Sequence, residues 1–414
     1  MTARLRMGVV ALAMPLLMGA SPGELIKVSG HVKAFGVGSV PYQSRLFSGP
    51  TGSAVVDARL KLAIRPWKGL TFEYDPTLTA SLGGAGGVNT GVGLTAPELL
   101  SMTAQIVSGP SFGLRFRVDR ALVRADLGPV RLTVGRQAIT FGQGQLFTPM
   151  DLVAPFNPAV LDQSYKPGVD AFRGDVFLGM SGQISAVVAY LGEESLGETG
   201  VPDGGDPEPP ELADVALALH GQGTAGTVDL GGFVGAVYGD FVGGVSVYAP
   251  IGPVGLYGDV TLTVVTEEEP MVYPRAVVGV VLRPTTTTTL MVEVYGQRFG
   301  TDTKSEYLLT SMSERYQRGE LWLAGHLYAS VLLAQEITPL VSASALVVAN
   351  LLDPSALLMG SVSWSVASNA DLAAGVQMGV GKRPDELVEN PLASGRSEFG
   401  IVPVTGFVQV GVYF

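Results

Sequence analysis

Leu70-Thr71-Phe72-Glu73-Tyr74-Asp75-Pro76-Thr77-Leu78-Thr79-Ala80-Ser81-Leu82 is the stretch that decides the fold, because every even position is apolar and every odd one polar. Successive side chains of a β-strand point to opposite faces, so a period of two marks a strand with one apolar and one polar face. A helix at 3.6 residues per turn cannot generate it. The same alternation runs through Val56-Asp57-Ala58-Arg59-Leu60-Lys61-Leu62 and through Ile26-Lys27-Val28-Ser29-Gly30-His31-Val32-Lys33.

Such strands need a solvent for their apolar face, and the composition says which. The 414 residues include 55 glycines, 15% charged residues and no cysteine, and the mean hydropathy is +0.34. Without cysteine there is no disulfide scaffold, thiolate metal site or lipidated N-terminal cysteine. Past the first 20 residues no run of 18 apolar residues occurs, so no helix is expected to cross a membrane. The remaining structure that satisfies every backbone group in lipid is a closed β-barrel.

Both ends agree with export to a membrane. Arg4 and Arg6, the apolar run Met7 to Leu17 and Met18-Gly19-Ala20 read as a secretory signal over residues 1–20. The rest, 21–414, is expected to be a single barrel domain without a plug. The chain closes on Gly406-Phe407-Val408-Gln409-Val410-Gly411-Val412-Tyr413-Phe414. This resembles the C-terminal signature of outer-membrane proteins, which implies that Phe414 is an assembly signal read by the barrel-assembly machinery.

Extending the alternation along the chain predicts an all-β, transmembrane antiparallel barrel of about 18 strands, with 16 as the alternative. The strands fall near 25–39, 53–65, 70–82, 112–126, 130–142, 171–181, 183–192, 213–223, 227–240, 242–250, 254–265, 275–283, 287–299, 318–334, 338–350, 356–367, 370–381 and 403–414. Between about 213 and 300 glycine and valine dominate and the alternation is faint. Links such as Leu127-Gly128-Pro129 and Ile251-Gly252-Pro253 follow even strands, whereas the long connections 83–111, 143–170, 193–212, 300–317 and 382–402 follow odd ones. One short-turn side and one long-loop side is the asymmetry of a bacterial outer-membrane barrel, and it puts both termini in the periplasm. Trp67, Tyr248, Tyr257, Trp322, Trp364 and Tyr413 lie near strand ends, where an interfacial aromatic belt is expected.

The formal charge is −11, or about −13 once Arg4 and Arg6 leave with the signal, yet 15 of the 24 remaining basic residues lie between Lys27 and Arg173. Asp57, Arg59, Lys61, Arg115, Arg117, Asp119, Arg173 and Asp175 take the polar phase of their strands. Facing lipid, each would cost about 2–4 kcal/mol at mid-bilayer, so they are predicted to line the lumen. The phase breaks at Asp119-Arg120 and at Gly135-Arg136. A β-bulge at each break would turn Arg120, Arg124 and Arg136 inward. A wall rich in guanidinium groups attracts anions; the competing reading is that arginines and acids pair with each other and fill a polar interior.

One stretch carries a family resemblance. Gly135-Arg136-Gln137-Ala138-Ile139-Thr140-Phe141-Gly142-Gln143-Gly144 leads to Phe147-Thr148-Pro149-Met150-Asp151, then Phe156-Asn157-Pro158 and Lys166-Pro167-Gly168-Val169-Asp170-Ala171-Phe172-Arg173. With Asn350-Leu351-Leu352-Asp353-Pro354-Ser355, this resembles the alginate-export channel and related porin-like families, over about 50 residues; where those have Trp-Gly, this chain has Phe141-Gly142. The resemblance implies that the third external loop, 143–170, folds inward, making Asp151, Asn157, Asp162, Lys166 and Asp170 constriction residues. The alternative is a loop on the rim. Residues 193–214 hold eight carboxylates among Pro and Gly without the aspartate ladder of a calcium loop, and read as a solvated external loop.

Enzymatic patterns are absent. His31, His220 and His326 sit on separate strands without zinc-ligand spacing, and there is no Gly-x-Ser-x-Gly and no phosphate-cradling loop. The expectation is therefore a passive outer-membrane channel for small hydrophilic, anionic or polar solutes, not an enzyme, with no cofactor and no metal. Its partners are outer-membrane lipid, the assembly machinery and the solutes, not nucleic acid. A barrel hydrolase using His326, and a structural or adhesive barrel, are the other readings.

Overall fold

A computed structural model describes residues 25–42, 49–83, 96–155, 165–192, 214–266, 271–385 and 387–414. Its strands are β1 (Ile26–Val40), β2 (Thr51–Trp67), β3 (Leu70–Leu82), β4 (Thr103–Ser108), β5 (Phe112–Leu127), β6 (Val130–Gln137), β7 (Val169–Leu178), β8 (Gly182–Tyr190), β9 (Val215–Ala225), β10 (Val228–Val237), β11 (Asp240–Ile251), β12 (Val254–Val265), β13 (Met271–Leu282), β14 (Thr288–Gln297), β15 (Leu327–Thr338), β16 (Val341–Asn350), β17 (Ser355–Ala367), β18 (Ala370–Val380) and β19 (Val404–Tyr413). All but β4 form one closed ring of 18 antiparallel strands, each beside its neighbours in sequence. The ring closes between β1 and β19, from His31 opposite Tyr413 to Val40 opposite Val404. The terminal residue joins this seam: Gly30 N donates to Phe414 O at 2.8 Å and Phe414 N donates to Gly30 O at 3.0 Å. Gly30 is required there, since a Cβ would strike both the Arg59 carbonyl and the Phe414 ring.

The decisive alternation becomes an inside and an outside. Phe72, Tyr74, Leu78, Val123, Val134, Phe172, Val234, Val260, Val278, Val331, Val362 and Val408 are exposed on the outer face, where apolar side chains meet hydrocarbon. Two-residue turns join β5 to β6 and β11 to β12, with Gly128 (φ 70°) and Gly252 (φ 59°) in the left-handed region that such tight turns need.

Three local expectations are corrected. Thr103–Ser108, inside the predicted loop 83–111, is a strand. It pairs with the upper half of β5 because β6 ends at Gln137 and leaves that edge open. The strand expected at 318–334 begins only at Leu327, since residues 304–317 form short helical turns and Leu321 is buried with the loop. Of the six belt aromatics, Tyr257 is 3% exposed and faces the lumen, and Trp322 belongs to the 298–326 loop. Trp67 and Trp364 do stand exposed on the outside. No helix among the described residues is long and apolar enough to cross a membrane.

Candidate solute channel

The connection between β6 and β7 does not stay on the rim. Ile139, Phe141, Met150, Leu152 and Val153 pack inside the ring against Ala171, Val187, Ala189, Ala218, Phe233 and Val242. Farther along, the loop reaches strands on another side of the barrel. Gln143 N (3.0 Å) and Gly144 N (2.9 Å) donate to the Asp259 carboxylate on β12. Gln145 N (3.0 Å), Leu146 N (3.1 Å) and Phe147 N (3.0 Å) donate to Glu293 on β14. Phe147 then stacks on Tyr295 at 4.8 Å. The loop thus crosses the lumen and narrows it.

Lys166 braces the loop from beneath, donating to the Ile139 carbonyl, to Thr140 Oγ1 at 3.1 Å and to Asp151. Burial pushes the Asp151 carboxyl up and the Lys166 ammonium down, and their attraction opposes both shifts. Asn157 and Asp162 lie outside the described residues. A second loop, 298–326, also bends in: Arg315 pairs with Asp240 at 2.7 Å and Glu320 at 3.1 Å. The buried Arg275 donates to the Glu320 carbonyl at 3.1 Å. At the same end Glu398 accepts from Ala324 N, Tyr328 Oη and Asn350 Nδ2, each at 2.7 Å.

The charged wall is organised in cross-strand rows. Asp126, Arg131, Asp175, Ser185 and His220 stand opposite one another along β5 to β9, and Arg124, Thr133 and Arg173 form the next row. Lys33, Asp57, Thr79 and Arg115 make a third along β1, β2, β3 and β5. Asp57 accepts from Thr79 Oγ1 at 2.9 Å and lies 3.4 Å from His31 Nε2. Between β3 and β5 the register shifts, so Asp75 faces Arg120 while Pro76 faces Val118, and Asp119 is the extra residue. This bulge lets Asp119 hold both Arg59 (2.6 Å) and Arg120 (2.9 Å). Tyr165 descends onto the same wall, with Arg59 4.3 Å and Lys61 4.0 Å from its ring centre and His31 stacked at 5.2 Å.

Arg136 and Asp170 are placed differently from expectation. No register shift occurs at Gly135; the residue instead takes φ 111° within an unbroken ladder. Arg136 and Asp170 stay in phase with Val134 and Phe172, which are 52% and 45% exposed on the outside. They are sealed there by residues 96–102. Arg136 pairs with Asp170 (2.9 Å) and Glu98 (2.8 Å) and donates to Leu100 O, while Leu99 N and Leu100 N donate to Asp170. Arg117 joins them through Glu98 at 3.0 Å. This buried cluster fills the wall where β6 leaves off, so Arg136 and Asp170 do not line the lumen.

Space remains beside the loop. A cavity of about 420 Å³ is lined by Arg120, Arg124, Arg131 and Arg173, with Glu73, Asp175 and Gln183 among them. Arg173, Arg124 and Arg131 side chains keep 24%, 32% and 39% of their surface, and each pairs with one carboxylate: Asp175 (2.8 Å), Glu73 (3.0 Å) and Asp126 (2.5 Å). A guanidinium has five N–H donors, so each retains donors for a solute. The three histidines stay apart: His31 beside Tyr165, His220 against Phe141 at 4.7 Å, and His326 against the Gln297 carbonyl at 2.9 Å.

Sequence reasoning missed Glu98, Asp259, Glu293 and Glu398. Asp259 and Glu293 did leave a signal, each being the one carboxylate of a strand otherwise free of charge.

Solved porins share this arrangement of strands. No known protein-family model matches the chain, and no curated protein does. OccK9 (OpdG) of Pseudomonas aeruginosa is similar with a TM-score of 0.60 at 9% identity, covering 94% of this chain and 98% of that one. A BenF-like porin from Pseudomonas fluorescens scores 0.57 at 10% identity, with 94% and 98% covered. OccK2 (OpdF) of Pseudomonas aeruginosa, solved in complex with glucuronate, scores 0.57 at 8% identity, again with 94% and 98% covered. The fold is therefore that of the 18-stranded outer-membrane porins. The narrower likeness to the alginate-export channel rests on the sequence motifs alone.

Proposed function

We propose that this barrel is a passive channel of the bacterial outer membrane for small hydrophilic solutes, with a preference for anions. The observation that carries the reading is the cavity beside the inward loop, bordered by four guanidinium groups. A solute entering there must give up part of its hydration, and donors fixed on rigid strands replace it best for carboxylates and hydroxyls. Glucuronate, which OccK2 binds, has both groups and fits that chemistry. The lining set proposed is Asp57, Arg59, Lys61, Arg115, Asp119, Arg173 and Asp175, with Arg117 held in the buried cluster and Asp151 and Lys166 holding the constriction in shape. We also assign the short-turn end and both termini to the periplasm, with Phe414 presented to the assembly machinery. Reversal potentials across a planar bilayer with a salt gradient test this: anion preference is expected, and cation preference or no conductance overturns it.

A further inference from the structure

The two carboxylates that receive the inward loop do more than fill the wall. Asp259 and Glu293 are both fully buried, on strands with no other charged residue, and their acceptors are satisfied by five consecutive backbone N–H groups, Gln143 to Phe147. Successive N–H groups converging in this way form a concave anion site. Here the anion belongs to the opposite wall. The loop's glycines are shaped for it: Gly142 sits at φ 95°, and a Cβ there would lie 2.6 Å from Asp259 Oδ2. Gly144 leaves room in the same way, since a Cβ would collide with the Phe147 carbonyl. On the wall side, Tyr257 Oη donates to Glu293 at 2.7 Å. It reaches across β13 only because Gly279 has no side chain to meet its ring.

We propose that Asp259 and Glu293 are positioning residues that latch the constriction loop across the channel by accepting its five N–H groups. This rests on the channel reading above and adds the element that sets its width. Together the two carboxylates accept from all five N–H groups. An amide in place of either carries no charge and replaces one acceptor oxygen by an NH2 that faces N–H donors, so the substitution breaks at least one bond and weakens the rest. The neighbouring polar groups are already engaged: Tyr257 by Glu293, Tyr295 by Gln297 at 3.1 Å, and Arg275 by Thr263 and the Glu320 carbonyl, while the His220 ring lies tilted against Phe141 of the loop.

The chain's lack of cysteine gives a readout independent of conductance. Met150, a fully buried residue of the loop, is replaced by cysteine and its reaction with a maleimide is followed in the refolded full-length barrel. At neutral pH, Met150→Cys should react at least about tenfold faster when combined with Asp259→Asn and Glu293→Gln, because two charge-assisted anchors are lost. Single-channel conductance of the pair Asp259→Asn, Glu293→Gln should rise, whereas Asp259→Glu with Glu293→Asp, which keep the carboxylates, should label more slowly than the amide pair. Unchanged labelling in the Asn, Gln barrel overturns the latch. A wild type that does not conduct while labelling still responds overturns the channel reading and leaves the latch standing.

Discussion

The two halves of the barrel handle charge in opposite ways. From β1 to β8 the charges are many and pair within the wall: Arg131 meets Asp126 across a hairpin, Arg173 meets Asp175 two residues along its strand, and Arg124 meets Glu73 on neighbouring strands. From β11 to β14 the strands are rich in glycine and valine with isolated carboxylates, and each finds a partner on a distant loop: Asp240 on Arg315, Asp259 on Gln143 and Gly144, Glu293 on residues 145–147. The first half makes a surface that solutes can meet, and the second makes an anchorage for loops. A wall whose donors remain partly exposed can exchange protein partners for a solute, whereas carboxylates saturated by five N–H groups cannot.

The sharpest way to break this contrast is the buried cluster that belongs to neither half. Asp170→Asn leaves the Arg136 guanidinium, with no exposed surface, short of an anion. The loss should be about 3–5 kcal/mol of unfolding free energy in detergent titrations, and the paired change Arg136→Met, Asp170→Leu should recover most of it. If the single change proves nearly neutral, the seal over the end of β6 is not built from charge. Next in size is Gly279→Ala, whose methyl overlaps the Tyr257 ring; the expected cost is about 1–3 kcal/mol, with faster maleimide reaction at Met150→Cys. An intact barrel with unchanged labelling would show that Tyr257 does not serve the latch.

Selectivity sharpens the other side of the comparison. Arg124→Glu with Arg173→Glu reverses two charges at the cavity, and a change of a few kT in local potential should turn anion preference into cation preference in reversal-potential measurements. The same swap at Asp240 and Arg315 should leave selectivity nearly unchanged. At the loop end, burial raises the Glu398 carboxyl above the ordinary carboxylate range. A folded-state pKa raised above the unfolded one means stability is fullest below the unfolded value and declines as pH rises through the folded one. Protection of the Ala324 amide, measured relative to its intrinsic exchange rate at each pH, should therefore fall as pH rises, and Glu398→Gln should remove that dependence. Smallest of all, Arg131→Gln breaks a pair whose side chains are 39% and 41% exposed and should cost about 0–1 kcal/mol.

How much of this was legible depends on where the partners lie. Strand number and ring closure follow from alternation between lipid and lumen, which every strand carries in its own residues. The bulge at Asp119 was visible as a break in phase, and the structure has it. The similar break at Gly135 is something else, a positive-φ glycine in a continuous ladder. That difference set Arg136 and Asp170 on the opposite face. Thr103–Ser108 escaped notice because its use as a strand depends on an edge that β6 leaves vacant, a property of the neighbour and not of the segment.

By itself, then, the order of residues determined that the chain forms a closed sheet with an apolar outside, since a period of two obeys a local rule that lipid enforces at each position. Only the tertiary structure decided how open the inside is. The loop's five N–H groups and the carboxylates that hold them are separated by more than a hundred residues, and no local pattern specifies which wall a loop will reach.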